Sequence, residues 1–153
     1  MQRAATLGLL VPVLLLAACA GDRDRVASRA ADVAEASEVA ASMVGKPYRY
    51  GGNHPNRGFD CSGLVYFSYR RAGLDVPRST TDQRRLARPV SVARLSRGDL
   101  LFFNQEGKHS SHVGIYLGDD RFVHAPSSGK QVRVDSFSSP YWQKHFVDAR
   151  RFF

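Results

Sequence analysis

Three side chains in this 153-residue chain are spaced for thiol-based acyl transfer: Cys61, His112 and His124. Cys61 follows Asp60 and opens the amphipathic run Leu64-Val65-Tyr66-Phe67-Ser68-Tyr69, which ends at Gly73. Asp is a strong N-cap residue and Gly a favoured residue just past a helix end. The pattern therefore predicts a helix whose first turn holds the thiol. Unpaired N–H groups and the positive end of the helix dipole gather there, and both favour thiolate over thiol. A cysteine so placed is a nucleophile candidate. The competing reading is a small buried apolar residue.

A thiol nucleophile needs a base to take its proton and a partner to orient that base. Of the five histidines, His54, His109, His112, His124 and His145, two fall on predicted strands either side of the turn Gly118-Asp119-Asp120. These are His112 and His124. Their even separation lets a hairpin set both on one face, as direct or diagonal neighbours. Gly114 shares that face and leaves room above the sheet. The competing readings are two half-buried sheet histidines, or a metal site built from His109, His112, His124 and Cys61. No CxxC or HExxH motif accompanies them, and a metal would consume the thiolate, so neither metal nor other cofactor is expected.

Helices come first and strands later. Residues 20–25 read as a polar linker and 26–44 as an Ala-rich helix stopped by Gly45-Lys46-Pro47. Residues 48–58 read as a tight loop, and 77–83 as a loop entering a short helical turn. After Gly98 the pattern changes. Residues 99–103 form a continuous apolar run, 105–111 a polar loop, and 112–117 alternate with Val113, Ile115 and Leu117 on one face. Residues 121–124, 131–134 and 146–153 read as further strands. The order predicts an α+β fold, N-terminal helices packed on an antiparallel β-sheet, in one domain over 28–153.

The first residues are expected outside that domain. Met1-Gln2-Arg3 is a short positive start, and the apolar run 4–18, ~15 residues, is shorter than the ~20 a bilayer span needs. Leu16-Ala17-Ala18-Cys19 resembles a bacterial lipobox. That makes 1–18 a lipoprotein signal peptide, Cys19 the lipidated residue, and 19–27 the anchor and linker. An ordinary secretory signal and a single membrane anchor are the alternatives. Ala20, where an Asp often signals inner-membrane retention, leans towards an outer-membrane lipoprotein facing the periplasm of a Gram-negative envelope. With Cys19 lipidated, Cys61 is an unpaired thiol where disulfides are favoured, which strengthens the reactive reading over a Cys19–Cys61 disulfide. The formal charge of +8 suits acidic partners such as carboxylate-rich wall peptides or anionic lipid headgroups, and a signal peptide argues against nucleic acid. A monomer is expected.

Six stretches, in order, resemble the NlpC/P60 cell-wall cysteine peptidases, compact relatives of the papain fold. They are Pro47-Tyr48-Arg49-Tyr50-Gly51-Gly52, Asp60-Cys61-Ser62-Gly63-Leu64-Val65, Pro77-Arg78-Ser79-Thr80 with Gln83, Arg97-Gly98-Asp99-Leu100-Leu101-Phe102-Phe103, His112-Val113-Gly114-Ile115-Tyr116, and Phe122-Val123-His124-Ala125-Pro126. Tyr141-Trp142 and Ala149-Arg150-Arg151 match as well. The resemblance implies Cys61 as nucleophile, His112 as general base and His124 as its orienting partner, with Tyr48 near the oxyanion and Tyr50 as runner-up. It implies Asp60, Ser62, Arg78, Ser79 and Thr80 as holders of the amino end of a peptidoglycan stem peptide. The nearest likeness is to short outer-membrane lipoproteins made of the catalytic domain alone, without SH3-like or LysM modules. An open cleft follows, suited to crosslinks or intact stems. Acyl transfer or amidase chemistry on the same fold, and an inactive wall-binding lipoprotein, are the alternatives.

Overall fold

The computed structural model describes residues 18–105, 107–127 and 130–153, with backbone only at 18–21 and 108–110. The expected signal segment up to residue 17 lies outside them. Helix α1 (Ala18–Ser42) opens the fold. It runs through 20–25, where a linker was expected. That stretch has one Gly and no Pro, and Asp22 and Arg25 stand at a helical spacing that opposite charges tolerate well. Val33, Ala36 and Ala40 form its buried stripe.

Two short antiparallel strands, β1 (Asn53–His54) and β2 (Gly58–Phe59), lie within the expected loop. Helix α2 (Cys61–Arg71) follows, with Asp60 at its N-cap accepting from the Gly63 N–H. Helix α3 (Thr80–Leu86) is capped in the same way by Ser79. Then come β3 (Arg88–Val90), a 3-10 turn (Val92–Arg94), β4 (Leu100–Gln105), β5 (Lys108–Gly118) and β6 (Arg121–His124). Strand β7 (Arg133–Ser136), helix α4 (Pro140–His145) and β8 (Phe146–Arg151) complete the chain. Strands β3 to β8 form one antiparallel sheet in the order β3-β8-β4-β5-β6-β7, separate from the β1–β2 pair.

The α+β expectation therefore holds, with differences in detail. The loop expected over 105–111 is a tight hairpin in which Gln105 pairs with Lys108, closed by Gly107 at φ 71°. Strand β7 starts at Arg133, two residues later than expected, and Gln131 instead bridges Pro47. Strands β1 to β3 and α4 carry no strong periodicity and were not expected.

Alternation along β4 and β5 builds two cores. Leu100, Phe102, Val113, Ile115 and Leu117 face α1 and α2, where they meet Val33, Ala40, Leu64, Val65 and Tyr69. Leu101 and Phe103 face the other way, onto Phe122, Phe137 and Trp142 of the α4 side. Burying each large apolar side chain contributes about 1.5–3 kcal/mol. The sheet is thus held from both faces, and β5 is fixed where its histidine projects.

Candidate active site

Cys61 is the first residue of α2, and the cap residue before it ties three segments together. Asp60 Oδ1 accepts the Gly63 N–H at 2.7 Å, while Oδ2 accepts the Gly51 N–H at 2.9 Å and the Arg78 guanidinium at 2.8 Å. Arg78 also donates to Ser62 Oγ at 2.8 Å and to the Gly52 carbonyl at 3.2 Å. Asp60, Ser62 and Arg78 are therefore one network beside the thiol. Gly63 permits it: a Cβ there would stand 1.9 Å from the Gly52 carbonyl oxygen. Buried Gln83 clamps the same corner, donating to the Ser62 carbonyl at 3.0 Å and the Pro77 carbonyl at 2.8 Å. Ser79 and Thr80 part company. Ser79 accepts the Asp82 N–H as the α3 cap, whereas Thr80 Oγ1 lies 3.8 Å from Cys61 Sγ.

The thiol also touches β5. Its Sγ lies 4.0 Å from the Ser111 carbonyl, and the Val113 N–H acts on the thiol to favour thiolate, so its strand contacts fall either side of His112. Ile115 pairs with Val123, and continuing that register sets Gly114 opposite His124 and His112 diagonal to it. The open space above Gly114 is filled by Phe122, whose Cδ2 would stand 2.5 Å from a Cβ there. His112 Nε2 lies 2.9 Å from His124 Nδ1, and His124 Nε2 lies 3.0 Å from Asp135 Oδ2. The carboxylate only accepts, so His124 carries its proton on Nε2 and receives at Nδ1. His112 then donates from Nε2, which leaves Nδ1 as its basic nitrogen.

Asp135 was not singled out in the sequence, and Trp142 was noted only within a matching stretch, with no role. Trp142 Nε1 donates to Asp135 at 3.0 Å, and its ring stacks on His112 at 5.7 Å and 20° and meets His124 edge-on at 4.9 Å. Arg133 donates to the same carboxylate at 2.9 Å and 3.2 Å. The pairing of His124 with Arg133 across β6 and β7 brings Asp135 within reach, and that register leaves no mark in the sequence.

Burial decides the electrostatics. It pushes the Cys61 thiol up from its usual 9.0, and the Asp60 charge adds to it, against the Val113 N–H, the Thr80 hydroxyl and the Ser62 N–H. It pulls His112 well below its usual 6.5, helped by the His124 and Arg133 fields and opposed by Asp135. His124 is lowered by burial too, while the hydrogen bond from His124 holds Asp135 well below the usual carboxylate range. The resting pair is thus neutral thiol and neutral imidazole. The Ser62 N–H at the helix start favours thiolate as expected, but a helix terminus contributes only about 0.3–1 kcal/mol and burial outweighs it. The His124 field works against a charged His112, and Asp135 favours it.

Half-buried Tyr48 packs on the same core cluster as Cys61 and bridges Phe59, two residues before the thiol. Its N–H donates to the Lys130 carbonyl at 2.7 Å. Tyr50 is 88% exposed. His54 packs on Phe67 and His145 bonds the Tyr141 carbonyl, so neither joins the pair. The His109 side chain and the Cys19 side chain lie outside the described atoms.

Residues 45–151 match the NlpC/P60 family. Murein DD-endopeptidase MepH of Escherichia coli (strain K12) is 41% identical over 129 residues, covering 79% of this chain and 48% of the relative. Murein DD-endopeptidase MepS/Murein LD-carboxypeptidase of the same organism is 43% identical over 112 residues, covering 72% of this chain and 58% of the relative. The chain thus spans roughly half the length of these curated relatives. A crystal structure from Staphylococcus aureus, described as similar to lipoprotein of the NLP/P60 family, superposes with a TM-score of 0.70 at 37% identity, covering 79% of this chain and 41% of that chain. In the order of its sequence and in its fold, the chain belongs to the NlpC/P60 family.

Proposed function

We propose that the protein is a peptidoglycan endopeptidase that hydrolyses an amide of a stem peptide or crosslink through Cys61. The observation that carries this reading is a thiol at a helix start, bracketing the strand position of His112, which heads a chain through His124 to a buried-side carboxylate. The names of the murein endopeptidases that the chain resembles support the substrate.

The steps follow from the tautomers. His112 Nδ1 takes the Sγ proton as sulfur attacks the amide carbonyl, so charge separation develops during attack and not before it. The oxyanion rests on the Cys61 N–H, with Tyr48 as the second donor. Collapse breaks the C–N bond, and the leaving amine takes the proton from His112. Water, giving its proton to His112, then opens the thioester and releases a carboxylate and the thiol. Throughout, His124 and Asp135 keep Nδ1 of His112 facing its task. Asp60, Ser62 and Arg78 hold the amino end of the peptide. Cys19 carries lipid and keeps the domain at the periplasmic side of the outer membrane.

Digestion of purified peptidoglycan by the soluble domain and by Cys61→Ala tests the reaction. Mass spectrometry should find peptide fragments made by the wild type alone; identical digests would sink the reading. For the anchor, palmitate labelling should vanish in Cys19→Ser, and unchanged labelling would refute lipidation there.

A further inference from the structure

A cleft of about 250 Å³ opens beside the histidine pair, lined by Gln105, Ser127, Lys130, Arg133, Tyr141 and Trp142 among others. Two links place it next to the thiol. The Ser111 hydroxyl, whose residue carbonyl faces Sγ, donates to the Gln105 carbonyl at 2.8 Å and accepts the Gln105 N–H at 2.9 Å. The Lys130 carbonyl accepts the Tyr48 N–H. Trp142, which forms one wall, stacks on His112. Sγ meets Thr80 on the helical side and Ser111 on the sheet side. The cleft is thus joined to the thiol through Ser111 of β5, and none of Asp60, Ser62 and Arg78 lines it.

Its described lining holds two cations and no carboxylate. Arg133 is already shared with Asp135. The Lys130 ammonium forms no ion pair among the described residues, and its side chain is exposed to the cleft's solvent. Gln105, Ser127 and Tyr141 add neutral donors. Both positive fields reach the relay: Lys130 and Arg133 lower His124, and Arg133 lowers His112.

We propose that this cleft is the subsite for a carboxylate on the leaving-group side of the scissile amide, with Lys130 as the cation that meets it. This rests on the peptidase reading above. The Asp60 network takes the amino end of the acyl part, so the cleft on the Ser111 side of the thiol receives the residue that departs as amine. In a carboxylate-rich wall peptide that residue brings its own negative charge. Bound there, it also offsets the Arg133 field, which weakens His112 as a base.

The test uses two synthetic peptides, identical except for a carboxylate or a carboxamide on the residue that leaves. The wild type should show kcat/KM about tenfold higher on the carboxylate peptide. Lys130→Met should bring the two rates within about twofold of each other by slowing the carboxylate peptide alone, and Lys130→Arg should keep most of the preference. Equal rates in the wild type, or an unchanged preference in Lys130→Met, would overturn the subsite while leaving the peptidase reading intact. No Cys61-dependent cleavage of either peptide would overturn both.

Discussion

Asp135 touches neither the thiol nor the candidate base, yet it sets which nitrogen of His112 is free. Asp135→Asn offers His124 Nε2 an amide that donates as readily as it accepts. We expect kcat to fall about 10–100-fold with little change in KM. That is well short of the ~10⁴-fold loss when such a carboxylate bonds the base directly. His112→Ala should abolish nearly all activity, and His124→Ala should keep some; equal residual rates would mean that the base is misassigned. The neutral resting pair has its own signature. Protonated His112 accepts nothing, so kcat/KM should rise with pH through a midpoint below 6.5. Alkylation of Cys61 by iodoacetamide should rise through a midpoint above 9.0. A plateau of alkylation already reached in mild acid would contradict both. Cys61, His112 and His124 were legible because capping and strand parity are written locally. The roles of Asp135 and Trp142 were not, because they depend on the β6–β7 register and on a helix turned back over the sheet.

The start of α2 is held by close approach as much as by hydrogen bonds. Gly63→Ala drives a methyl into the Gly52 carbonyl, which is backbone and yields only if the 48–52 segment shifts. The expected cost is about 2–3 kcal/mol in a denaturant titration, with a further loss of activity as Tyr48 is displaced. Wild-type stability in this variant would show that the approach is not tight in solution. Elements with strong local signals were readable: α2 from its cap and Gly73, β4 from its continuous apolar run, and β5 and β6 from alternation and the Gly118 turn. Strand β3 was hidden in the arginine-rich 84–94 stretch, since its pairing to β8 comes from a partner some sixty residues away. The linker at 20–25 became helix because nothing in it breaks one.

At the scale of the molecule, two cores and a buried ion pair hold the sheet to α1 and to the C-terminal strand. Asp99 is fully buried and accepts from Arg151 at 2.6 Å and 2.7 Å and from the Ser96 N–H at 2.8 Å. Asp99→Ala leaves Arg151 without its partner and should lower stability by about 3 kcal/mol. Calorimetry should then show a Tm fall of about 6–12 °C, and an unchanged Tm would mean that the pair contributes nothing net. All of these effects matter to function only if the domain is a thiol hydrolase. The most direct test is digestion of peptidoglycan in heavy-oxygen water with the wild type and Cys61→Ala. The account predicts a new peptide carboxylate carrying one heavy oxygen, made by the wild type and absent from Cys61→Ala. Sugar-chain fragments alone, or the same labelled peptide from Cys61→Ala, would contradict it.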